Sequence, residues 1–278
     1  MGWSIMKNKP RISTRRHVEK FVGRVFKLQP LPEEQFGLTG PDSTSSLDRI
    51  KSPMRGTIVP VDLSDELNIG SDDQGLTNRC TGFTARKFGE AIAKKIDAQS
   101  NLKFSPNYTY VKATGDYSKD QGTGMRDIAM AAVTHGFIPS SYWSDRILST
   151  TPPGNLVGNP DLPTFKIPSV ERITSVRDLI STLSVERLPV MIGSRMFQRG
   201  TDKACKTGWF PESTKGDSWT GNHAELIVGW MSVGDKVWFK KVGSWGNSVG
   251  ILGSFWIPEE YIHTGVVMDM WTAGKEIL

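Results

Sequence analysis

The hydrophobic period of this chain changes once, just after the segment SVRDLISTLSV at residues 175–185, and that change restricts the folds open to it. Upstream, apolar residues recur at helical spacing. Downstream, the runs LPVMIGSRMF, HAELIVGWMS, KVWFKKVGSW and GSFWIPEEYI are short, rich in β-branched and aromatic residues, and punctuated by Gly, Pro and Asp, which is how strands separated by turns are written. Helices first and a mainly antiparallel sheet second predict an α+β chain with two lobes and no internal repeat. At 278 residues the chain is long enough to bury a substantial core.

Three helices are expected. The strongest follows Cys80, where Phe83, Phe88, Ile92 and Ile96 with Ala85 and Ala91 form an apolar stripe, and Arg86, Lys87, Glu90, Lys94 and Lys95 cover the other side. A second runs from Gly124 to His135 and is ended by Gly136. The third occupies residues 175–185. Residues 1–56 read as an extension: a short amphipathic stretch near Arg15 to Phe26, then a turn-rich polar linker. The remainder, 57–278, reads as one domain, with a helical lobe over about 57–165 and a β lobe over about 166–270.

Charge is uneven. The net charge is +5, but residues 1–28 hold eight Lys/Arg against Glu19 alone, which leaves 26 basic against 28 acidic residues in the rest. The basic arm reads as a solvated tail, a propeptide remnant, or an attachment to a larger assembly. No nucleic-acid motif or aromatic interleaving accompanies it, so specific nucleic-acid recognition is not expected. No run is apolar enough to span a membrane, and the first thirty residues lack the apolar core of a secretory signal. The chain is therefore expected to be soluble and unexported, cytoplasmic or bound to an assembly such as a virion. Cys80 and Cys205 are expected as free thiols in a reducing compartment, with Cys205 in a loop. Neither has a Cys or His at ligand spacing, and His17, His135, His223 and His263 are scattered, so no metal or other cofactor is expected.

The chemistry concentrates at Cys80. A thiol becomes a nucleophile when its thiolate is stabilised, and a helix N-terminus offers unpaired N–H groups and the positive end of a dipole. Cys80 alone is accordingly expected to have a depressed pKa. A base must reach it in space, and His223 stands 143 residues downstream at the start of a strand. Gln74, six residues before the cysteine, has the amide chemistry of an oxyanion donor. His135 and His263 carry no partner pattern and belong at helix ends or the surface.

The stretch DQGLTNRCTGF resembles the cysteine motif of papain-like cysteine peptidases, in which a Gln six residues ahead of the nucleophile helps form the oxyanion hole. NHAELIVGW is similar to that family's histidine strand, VGSWGNSVGILGSFWIPEEYI to its Asn-Ser-Trp-Gly segment, and DQGTGMRDIAMAAVTHGFIPSSYW to the substrate loop and helix of its bacterial and viral branches. A spacing of about 130 to 150 residues between cysteine and histidine is the family's own pattern, so the interval found here is agreement with it and not separate support. The matches fall in order over about residues 57–264. They imply a papain-like two-lobe fold, a Cys80–His223 dyad with Gln74 at the oxyanion, Gly122 and Gly124 where the substrate backbone approaches, Trp245 shielding the histidine beside the substrate, and a peptide or protein as substrate.

One departure bears on activity. The family's third catalytic residue is an Asn directly before Ser-Trp-Gly, where this chain has Gly243. Imidazole orientation must then come from a backbone carbonyl or from a neighbour such as Asn247. The competing expectation is a papain-fold protein whose peptidase activity has decayed and which serves as a structural part of a virion or other assembly.

Overall fold

The computed structural model describes residues 59–115, 120–145, 151–156, 159 and 161–277. The basic arm at 1–56 lies outside them. The elements in chain order are β1 (Val61–Asp62), α1 (Cys80–Ile96), α2 (Pro106–Thr114), α3 (Met125–Thr134), β2 (Val170–Arg172), α4 (Val176–Ser181), β3 (Val190–Phe197), α5 (Gln198–Thr207), β4 (Trp219–Val233), β5 (Lys236–Val242), β6 (Ser254–Pro258), α6 (Glu260–His263) and β7 (Val267–Ala273). Among the described residues, six helices and one seven-stranded sheet make the expected α+β architecture. The strands run in the order β2-β7-β3-β4-β5-β6, with β1 added to β4, and every pairing is antiparallel.

β4 is the axis of the sheet. It pairs with β3, with Ser194 opposite His223 and Ile192 opposite Glu225, and with β5, with Leu226 opposite Val242. Residues 221–230 of β4 are buried without interruption, because sheet neighbours flank the strand and α1 packs against it. Such a strand has no solvated face on which an ionisable side chain can rest. α1 is buried almost all round, from Cys80 through Ala93. At Gly82 a Cβ would come within 2.4 Å of the Pro106 carbonyl oxygen and 2.9 Å of the Tyr110 Cβ, so glycine is what lets α2 cross α1 so closely.

Several expectations change in detail. Lys87, assigned to the solvent side of α1, is 4% exposed, and Ile96, assigned to the apolar stripe, is 57% exposed. The stripe rule presumes one buried face, and a helix sheathed on most sides breaks it. α4 stops at Ser181 and passes into a wider turn over Thr182–Glu186. The run GSFWIPEEYI, expected as a single strand, ends as β6 at Pro258, after which Glu260–His263 is helical. Cys205 lies on α5 and is buried, not in a loop. α2, α5 and β7 were not anticipated. Gly136 does terminate α3, at φ +70° with its N–H on the Ala131 carbonyl. Among the described residues no helix is long and apolar enough to cross a membrane, and no cluster of three or more His, Cys, Asp and Glu is placed to hold a metal ion.

Candidate active site

Cys80 is the first residue of α1, and Arg79 before it supplies no side-chain cap. The first N–H groups of a helix lack intrahelical acceptors, and that of Thr81 acts on the thiol as a donor. A second donor comes from across the molecule: the backbone N–H of Ala224, the residue after His223 on β4, also acts on the Cys80 thiol. The head of α1 and the histidine-bearing strand are therefore in contact at the sulfur. Both residues are buried, Cys80 at 1% and His223 at 0% exposure. Trp245 stacks on the imidazole with ring centroids 4.4 Å apart and planes at 27°, which covers one ring face.

Burial sets the resting protonation. It pushes the Cys80 thiol up to about 12, outweighing the two N–H donors. Cys205 is pushed up to about 12 by the same cause, so the expected depression of Cys80 alone is corrected: desolvation dominates the helix terminus. His223 is held well below its ordinary value, first by burial and then by the nearby cations Lys241 and Lys87. At neutral pH the resting groups are a neutral thiol and a neutral imidazole.

Gln74 is buried in the turn before α1 and is tied down at both ends of its amide. Its Nε2 donates to the Thr77 carbonyl at 2.6 Å, and its Oε1 accepts from the Ser244 hydroxyl at 2.5 Å. The backbone repeats the connection. Gln74 N–H donates to the Ser244 carbonyl at 2.9 Å, Gly246 N–H donates to the Asp72 carbonyl at 2.7 Å, and Asp73 bridges Trp245. The turn at 72–74 is thus stitched to the segment at 244–246, and the amide keeps one N–H hydrogen beyond the bond to Thr77.

Gly243 ends the β5 ladder. Its N–H donates to the Gly253 carbonyl at 3.2 Å, while its carbonyl accepts from Lys87 Nζ at 2.9 Å and from the Ser71 hydroxyl at 3.2 Å. Asn247, the neighbour considered for orienting the imidazole, is exposed on a turn.

No protein-family model and no curated protein matches this sequence. Solved structures do. Xylellain, a cysteine protease from Xylella fastidiosa, aligns at 25% identity over 77% of this chain and 85% of its own, with a TM-score of 0.63. Procathepsin B from Trypanosoma congolense aligns at 11% identity over 91% and 88%, TM-score 0.70. The Carica candamarcensis cysteine protease CMS1MS2, in complex with E-64, aligns at 19% over 78% and 98%, TM-score 0.60. The latter two, with so little identity, bear on the fold alone.

The fold is papain-like. In this papain-like frame the loop ahead of α3 lies beside the cysteine turn. Asn78 N–H donates to Asp120 Oδ2 at 3.0 Å, its side-chain amide donates to the Asp120 carbonyl at 2.6 Å, and Arg79 Nε lies 3.5 Å from Asp120 Oδ1. Gly122, at φ +85°, gives its N–H to the Tyr110 hydroxyl at 2.9 Å, so that donor is already engaged. Gly124 is the N-cap residue of α3.

Five polar residues around the site escaped the sequence reading: Arg79, Lys87, Asp120, Glu225 and Lys241. Glu225 and Lys241 are 0% and 1% exposed and form a buried ion pair. A signal for them exists in the sequence. Glu225 is an ionisable residue inside a run otherwise written for the core, and the β4–β5 register, with Ile227 opposite Lys241, puts Glu225 and Lys241 on the same sheet face. The buried arginine before Cys80 donates to Asn107 Oδ1 and lies 5.9 Å from the Tyr110 ring; nothing local in its sequence announces that.

Proposed function

We propose that this chain is a cysteine peptidase that hydrolyses peptide bonds through Cys80 and His223, with Gln74 and the Cys80 backbone N–H as oxyanion donors. One observation carries the reading: within a papain-like fold, the head of α1 packs on β4 so that the backbone N–H next to His223 acts on the Cys80 thiol. The Cys80 proton passes to the imidazole as the sulfur adds to the substrate carbonyl. The resulting oxyanion is held by Gln74 Nε2–H and the Cys80 N–H. Collapse of the adduct breaks the C–N bond, and the imidazolium gives its proton to the leaving amine. Water then adds to the thioester while His223 takes its proton, and the acid and the free thiol are released.

The neutral resting pair constrains the first step. Each charged form alone is disfavoured by burial, so thiolate and imidazolium must form together. Two unit charges about 4 Å apart attract by roughly 4 kcal/mol at an effective dielectric of about 20, and that attraction must offset the desolvation of both. Thiol attack is therefore coupled to proton transfer inside the pair.

The test uses E-64, the molecule bound to the Carica candamarcensis neighbour. The full chain and its Cys80→Ala variant are incubated with it and read by intact mass. One adduct per chain, absent from the variant, is the expected result. A folded wild-type chain that takes up no label would overturn the reading.

A further inference from the structure

The residue facing Gly243 is an acid. Leu226 pairs with Val242 at the end of the β4–β5 ladder, and one step further the antiparallel register sets Glu225 opposite Gly243. A Cβ placed on Gly243 would lie 3.5 Å from Glu225 Oε1. The carboxylate therefore borders the space that any longer side chain at 243 would enter. Glu225 is two residues from His223 on the same strand, so both side chains leave the same face of the sheet.

The two carboxylate oxygens are used differently. Oε2 is fixed by Lys241 and by the Ser194 hydroxyl at 3.3 Å, and Ser194 is itself the cross-strand partner of His223. Oε1 is buried and accepts no hydrogen bond among the described residues. A buried carboxylate oxygen left without a donor is costly, and a buried ion pair is weak support for stability in its own right. This one is held firmly from behind, with the Lys241 ammonium 4.2 Å from the centroid of the Phe210 ring. Its open oxygen borders the end of the sheet where the imidazole stands.

We propose that Glu225 is the positioning residue of His223, its Oε1 receiving an imidazolium N–H when the ring takes the Cys80 proton, with Lys241 as the fixed counter-ion that holds the carboxylate in place. The proton stays on the imidazole throughout, and Glu225 only accepts a hydrogen bond. The role left vacant by Gly243 is filled from the histidine's own strand. This inference rests on the dyad proposed above. The ionisable groups at this end of the site are Glu225 and His223 on β4, Lys241 on β5, Lys87 on α1 with Asp72 at 3.7 Å from its ammonium, and the Cys80 thiol.

The experiment follows the iodoacetamide alkylation rate of Cys80 against pH, resolved from Cys205 at the peptide level, in the full chain. Three proteins are compared: wild type, Glu225→Gln/Lys241→Met, which removes the acid without stranding the lysine, and that double variant with Gly243→Asn added. Wild type is expected to show a fast plateau near neutrality, bounded above by loss of the one proton that Cys80 and His223 share. The double variant should lose at least tenfold in plateau rate, short of the roughly 10⁴-fold seen when tautomer control is lost in a related triad. Gly243→Asn should restore part of that rate. A structural role alone would change melting without responding to Gly243→Asn.

A wild-type plateau left unchanged in the double variant would overturn the positioning role while leaving the dyad standing. No plateau in the wild type would overturn the dyad and, with it, this role. If the double variant does not fold, ¹⁵N-histidine NMR of the wild type on the plateau decides. A slowly exchanging His223 N–H bonded to a carboxylate supports the role, and a freely exchanging one overturns it.

Discussion

Gly243 and His223 each make a prediction at the scale of one side chain. A Cβ at 243 meets nothing nearer than 3.5 Å, and the glycine is not in the left-handed region. Gly243→Ala should therefore leave the fold intact and raise stability by about 0.4–1 kcal/mol through the unfolded chain's lost freedom, readable as a higher midpoint in urea. His223 makes a prediction about acid. Its folded pKa lies well below the ordinary 6.5, so below about pH 6.5 the unfolded chain binds a proton that the folded chain refuses. The stability it contributes is present above that pH and is lost as pH falls through it. The melting temperature should drop between about pH 6.5 and 5, above the range where Asp62, Glu66 and Asp217, with lowered pKa values, begin to protonate. His223→Gln should flatten that limb in a series of thermal melts, and an unchanged limb would assign it to other groups.

At the scale of elements, α1 and β4 carry the site, and their neighbours fix how closely they meet. Gly82→Ala would drive a methyl into the Pro106 carbonyl and the Tyr110 Cβ. Backbone cannot yield as a flexible side chain does, so a loss of about 1–3 kcal/mol is expected, opposite in sign to Gly243→Ala in the same denaturation experiment. These elements also mark what the sequence could say. α1, α3 and the strands β3 to β5 were legible because their apolar periods are regular, and Cys80, Gln74 and His223 because a thiol at a helix start, an amide before it and an imidazole are distinctive chemistry, although His223 lies inside β4, which begins at Trp219, and not at its start. Lys87 was not, because a one-stripe pattern assigns every lysine of a helix to water, whereas here its ammonium crosses to the Gly243 carbonyl. Glu225 was passed over because alternation tells which face a residue takes but not which charge waits there. α2 and α5 were missed because their apolar residues are few: PNYTYVKAT and QRGTDKACKT are written largely in polar letters.

Across the whole molecule, the site is built from stretches remote in sequence. The turn at 71–74 and the start of α1 come from one end of the described chain; β4 and the segment at 243–246 come from the other, and the Gln74–Ser244 bonds and the Lys87–Gly243 bond join them. Contacts of such long separation form late, because the loop between them must be closed before they return any energy. That separation gives the site a timetable during synthesis. At about 5–20 residues per second, the 143 residues from Cys80 to His223 take about 7 to 29 s to translate. For that interval the nascent chain carries Cys80 with neither the Ala224 N–H nor the burial that β4 provides, a thiol not yet pushed up by desolvation and not yet given its histidine.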